Sequence, residues 1–185
     1  MRCPLEGGAA VLTLALMSGQ ALAEPSRFEL EPKLGYAGTF NTGLSPYGFF
    51  VGLGVRARPV SGLWIATSLS SYLGTRAAAD GPGVTYRAQN RAYALAFDTS
   101  FRFALGRGWS FEPGVEVGAA FILGSTYVTP TRIEDHYLAG NVGPIVRLGV
   151  RLGRFALGVE GAALFVPSYV AAPIVRGSAF AILPF

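Results

Sequence analysis

Residues 27–38 read RFELEPKLGYAG. Phe28, Leu30, Leu34 and Tyr36 share one parity, and Glu29, Glu31 and Lys33 share the other. Successive side chains of an extended strand point to opposite faces, so this segment has one greasy face and one ionic face. Which of the two meets solvent, and what that solvent is, decides the fold.

The pattern recurs along the chain. Tyr47, Phe49, Val51, Leu53, Val55 and Ala57 alternate with Gly48, Phe50, Gly52, Gly54, Arg56 and Arg58. Leu63, Ile65, Thr67 and Leu69 alternate with Trp64, Ala66, Ser68 and Ser70. From Tyr93 to Phe103 and from Trp109 to Phe121 the larger groups stand at odd positions, with Gly, Ala, Ser or a single charge between them. Val142 to Val150, Phe155 to Phe165 and a last run from Ile174 to Phe185 complete eight segments. Each is about ten residues long, the length a tilted strand needs to cross a bilayer. Connections alternate between long and short. Tight turns are expected at 59–62, 106–108 and 153–154, and polar loops at 74–90 and 124–137. FALG occurs at 103–106 and again at 155–158, a weak trace of hairpin duplication.

Composition narrows the class. Charged residues make up 14 % of the 185, against roughly 25 % in typical soluble domains. Lys33 is the only lysine, and the arginines form no basic run, so nucleic-acid binding is not expected. The apolar run Ala9–Met17, followed by Ala21-Leu22-Ala23, predicts a cleaved signal peptide over 1–23 and a mature domain over 24–185. That run is too short to span a bilayer as a helix, which takes about 20 residues. The one cysteine, Cys3, falls in the removed segment, so no disulfide or thiol chemistry is expected.

Eight alternating strands close either a soluble barrel, apolar side in, or a membrane barrel, apolar side out. An eight-stranded interior is just wide enough for packed side chains. Phe, Leu, Tyr and Trp from every strand would overfill it, whereas Gly, Ala and Ser with single long charges fit. The expected fold is therefore all-β: an eight-stranded antiparallel transmembrane β-barrel, an up-and-down meander. Aromatics support it. Phe28, Phe103, Trp109, Phe111, Phe155 and Phe185 fall at the short-turn ends, and Tyr36, Tyr47, Tyr93, Phe121 and Phe165 at the long-loop ends. Two such girdles are expected where lipid meets water.

With its signal peptide, eight alternating strands and final phenylalanine, the chain resembles the small OmpA/OmpX-type outer-membrane barrels of Gram-negative bacteria. The resemblance implies outer-membrane lipid and lipopolysaccharide as surroundings, and a monomer. It also implies that Phe185, in the tail GSAFAILPF, belongs to a signal read by the outer-membrane assembly machinery. No periplasmic peptidoglycan-binding domain is expected on either side of the strands.

Thirteen charged positions share the inward parity: Glu29, Glu31, Asp98, Glu112, Glu116 and Glu160 against Lys33, Arg56, Arg58, Arg102, Arg147, Arg151 and Arg176. Unpaired charges in a narrow interior are costly, so pairing is expected. Hairpin arithmetic sets Arg147 opposite Glu160, Arg102 opposite Glu112, and Asp98 opposite Glu116. The facing carboxylates of the last pair need a cation, and an arginine from across the lumen, Arg56 or Arg147, is expected between them. Such a network fills the lumen, so no stable open pore is expected.

Chemistry is sparse. The only histidine, His136, lies in TRIEDHY (131–137) beside Asp135, but adjacent strand residues point apart. No serine is fixed relative to it by spacing. A catalytic site, a cofactor and a metal site are not expected. Gly48, Gly52 and Gly54 lie within a strand and cradle no phosphate. The long loops remain the place for a surface ligand, with Arg76, Arg87 and Arg91 available to lipopolysaccharide phosphates. A non-enzymatic structural, protective or surface-interaction role is expected. The alternatives are a lipid-A-modifying enzyme and a small low-conductance channel.

Overall fold

A computed structural model describes residues 28–39, 45–166 and 173–185. The signal-peptide reading, with Cys3, lies outside the described residues. Ten strands follow one another: β1 (Phe28–Thr39), β2 (Gly48–Val60), β3 (Leu63–Tyr72), β4 (Arg76–Gly81), β5 (Val84–Phe101), β6 (Phe103–Gly106), β7 (Trp109–Val128), β8 (Thr131–Leu152), β9 (Phe155–Leu164) and β10 (Ile174–Pro184). β4 prolongs β3 past a break at 73–75, and β6 prolongs β5 past Arg102, so the wall has eight staves. Neighbouring staves pair antiparallel in chain order, β3 with β5 and β5 with β7. β1 pairs with β10, from Thr39 opposite Ile174 to Glu29 opposite Pro184, and the ring closes.

Alternation in the sequence becomes alternation in space. Along β5, Ala92, Ala96, Asp98 and Ser100 are buried, while Tyr93, Leu95, Phe97, Thr99 and Phe101 are exposed. Phe97 is 52 % exposed, Val117 54 %, and Leu69 65 %. A water-facing surface does not carry a continuous belt of this kind; it is the surface expected against acyl chains. Ten residues separate Tyr93 from Phe103. At ~3.4 Å each and a tilt of ~40° they project to about 26 Å, the height of an outer-membrane apolar band.

Turn chemistry sets the short ends. Gly62, Gly106, Gly108 and Gly153 take positive φ there, and Arg107 joins them at φ 49°. Inside, Gly158 leaves room for the Phe180 ring, against which any β-carbon at that position would collide.

Two expectations needed revision. Residues 74–90 and 124–137 are not irregular loops. β4 and β5 continue as a hairpin from 76 to 89, and β7 and β8 pair without interruption up to Val128 and Thr131. Together these strands form a sheet that stands above the apolar band. Tyr47 does not belong to the outer girdle either; it is 6 % exposed and faces inward. Gly48 at φ 133° resets the parity, so Tyr47 and Gly48 are both buried and Phe49 points out.

Candidate functional site: the lumen and the raised sheet

The lumen has two halves. At the short-turn end, β1 turns Glu29, Glu31 and Lys33 inward from one strand. Arg102 donates to both oxygens of Glu29, at 3.1 and 2.9 Å, and its Nε donates to Glu112. Arg56 donates to Glu112 as well and lies 3.1 Å from Glu31. Trp64 spreads its ring beneath both guanidinium groups, 4.2 Å from that of Arg102 and 5.0 Å from that of Arg56.

One layer further in, Arg147 makes a two-pronged bond to Asp98, both contacts at 2.9 Å, and donates its Nε to Glu160 at 2.7 Å. Lys33 bridges Glu31 at 2.8 Å and Glu160 at 2.9 Å. Arg176 forks onto Glu116 at 2.9 and 2.6 Å and reaches Glu160 at 2.7 Å. Eleven charges, Glu29 through Arg176, are thus joined without a gap: six carboxylates and five cations. Arg58 and Arg151 lie half-buried at the short-turn rim, where Arg151 donates to the carbonyl of Gly153.

Arg147 stands opposite Glu160, and Asp98 opposite Glu116. The last two carboxylates are not bridged by one arginine. Each has its own, Arg147 for Asp98 and Arg176 for Glu116. A fork onto both oxygens satisfies one carboxylate fully, which favours two separate pairs over one shared cation.

Above Arg176 the lumen turns apolar. Tyr47, Phe50 and Tyr72 pack in a cluster, Tyr47 edge-on to Tyr72 and the Phe50 and Tyr72 ring centres 4.9 Å apart. Ile122, Ile145, Leu164, Val166 and Ile174 pack around them with Ala37, Ala92, Ala120, Ala139 and Ala162. The sequence reading missed this plug, although Phe50, Ile122 and Leu164 all sit on the inward parity that was its one available signal.

Outside, the raised sheet carries polar rows. Tyr93, Phe121 and Leu138 lie level in the register, then Arg91, Leu123 and His136, then Arg76, Gln89, Ser125 and Glu134, then Arg87, Tyr127 and Arg132. The outermost cations are neutralised, Arg87 by Asp80 at 2.9 Å and Arg132 by Glu134 at 2.7 Å. Hydrogen bonds from Arg87 hold the exposed Asp80 carboxyl below its usual range. His136 rests near the Phe121 ring, 6.2 Å between centres. Ser125 and Glu134 share its face, but no hydrogen bond joins His136 to either among the described residues. Asp135 projects to the other face.

No protein-family model matches the sequence, and no curated protein is detectably similar to it. Solved structures are similar in fold. Neisserial surface protein A matches with a TM-score of 0.56 at 13 % identity, over 88 % of this chain and 100 % of that one. A major outer membrane protein from Thermus thermophilus gives 0.56 at 14 %, over 85 % and 99 %. Ail, the attachment invasion locus protein of Yersinia pestis, gives 0.53 at 8 %, over 87 % and 98 %. The chain has the fold of the small eight-stranded outer-membrane β-barrels of OmpA/OmpX type.

Proposed function

We propose that the chain works in the bacterial outer membrane as a monomeric, non-enzymatic barrel that conducts nothing. Its role is structural, protective or one of surface interaction. One observation carries this: inward of its short-turn mouth the lumen is crossed first by eleven joined charges and then by an apolar plug. Opening a path would separate buried pairs, each costing roughly 3–5 kcal/mol to break from one side. Residues 1–23 serve as the export signal, and Phe185, whose ring stacks on Phe28 at 6.2 Å, is read by the assembly machinery.

Purified protein reconstituted into planar bilayers tests the reading. Flat traces are expected across ±100 mV, with heat-modifiable gel migration reporting the folded barrel. Stable channel steps from folded protein would sink it.

A further inference from the structure

The polar rows of the raised sheet are unevenly neutralised. Farthest from the apolar band, Arg87 and Arg132 each have a carboxylate. Nearest the band, Arg76 and Arg91 are exposed, and no carboxylate lies within ion-pair distance of either among the described residues. The side-chain amide of Gln89 lies against the Arg91 guanidinium, and a half-turn of that amide would let its oxygen accept at 2.8 and 3.1 Å. Both arginines lie on the outer parity, continuous with Tyr93 and Leu95 on the lipid-facing wall.

Depth is informative. Arg91 is two residues beyond Tyr93, and Gln89, which carries Arg76 beside it, is four beyond. At ~3.4 Å per residue and a tilt of ~40°, these levels are about 5 and 10 Å above the girdle. The headgroup layer of a leaflet is about 5–8 Å deep, so the Arg91 level falls within it and the Arg76 level just above it, within reach of a long side chain. Longer hairpins mark the outer leaflet in such barrels. Gln89, Ser125 and Glu134 fill the row beside Arg76 with hydrogen-bonding groups rather than apolar ones.

From these rows we infer that Arg76 and Arg91 form a phosphate site on the outer wall, for the phosphorylated saccharide headgroup of an outer-leaflet glycolipid. The two guanidinium groups take the phosphate, and Gln89 and Ser125 face the sugar hydroxyls. Acyl chains run down the wall past Tyr93 and Phe121. The inference deepens the surface-interaction reading and rests on outer-membrane residence.

Folded protein in detergent is titrated with bis-phosphorylated lipid A, dephosphorylated lipid A or phosphatidylglycerol, and bound lipid is counted by native mass spectrometry. Retention of bis-phosphorylated lipid A should exceed that of both others. Arg76→Gln with Arg91→Gln should weaken it about thirtyfold, near 1 kcal/mol per arginine. The distal variant Arg132→Gln should leave it unchanged. Equal retention of the three lipids, or an unaffected double variant, overturns the site. Outer-membrane fractionation and heat-modifiable migration of the double variant report residence and folding separately, so loss of the site is distinguishable from loss of the barrel.

Discussion

Arginine meets carboxylate in two settings here. Inside the lumen, Arg147 and Asp98 have side chains 0 and 1 % exposed. On the raised sheet, Arg132 and Glu134 form a pair slightly shorter, at 2.7 Å against 2.9 Å, with side chains 66 and 64 % exposed. Distance does not rank the two; surroundings do. A buried charge that loses its partner has no water to turn to, whereas an exposed one is resolvated at once and screened by salt. The lumen pairs are therefore constraints on the fold, and the sheet pairs are a solvated surface.

The sharpest way to break the comparison is Arg147→Met. Asp98 has no other ion-pair partner among the described residues, while Glu160 keeps Lys33 and Arg176. The variant should lose roughly 3–5 kcal/mol, read as a lower urea midpoint in detergent micelles. Adding Asp98→Asn should restore more than half of the loss, because the orphaned charge is then gone. A double variant as unstable as the single one would mean that packing, not charge, holds this layer.

Arg102→Met should cost less, roughly 1–3 kcal/mol by the same measurement. Its side chain is 19 % exposed, and both its carboxylates retain Arg56, Glu112 through a hydrogen bond and Glu29 at 3.7 Å. A loss equal to that of Arg147→Met would show that the lumen mouth is as dry as its centre.

The period of two made the barrel readable. Glu29, Glu31 and Lys33 against Phe28, Leu34 and Tyr36 are sorted by a backbone rule that needs no partner strand. Hairpin partners such as Arg147 and Glu160 follow from turn length alone. The reading failed where that rule is interrupted or silent. At Gly48 a positive φ shifts the parity, which hydrophobicity cannot reveal. In 76–83 both faces are polar or small, so the alternation of Arg76, Ala78 and Asp80 carries no apolar signal. The pairing of Arg176 with Glu116, 60 residues apart, depends on how the closed ring staggers its staves. No local spacing encodes it.

The smallest effect expected is the most useful control. Arg132→Ala removes a 2.7 Å ion pair, shorter than the Arg147 fork onto Asp98, and turns a long side chain into a methyl group. Exposed pairs of this kind are worth roughly 0–1 kcal/mol, set against the entropy of holding two long side chains together. The urea midpoint should stay within error of the parent at 150 mM salt, and shift no more at 10 mM than solvated pairs do. Were Arg132→Ala to lower it as far as Arg102→Met does, the raised sheet would be coupled to barrel stability. It could then no longer be treated as a surface free to meet ligands without cost to the fold.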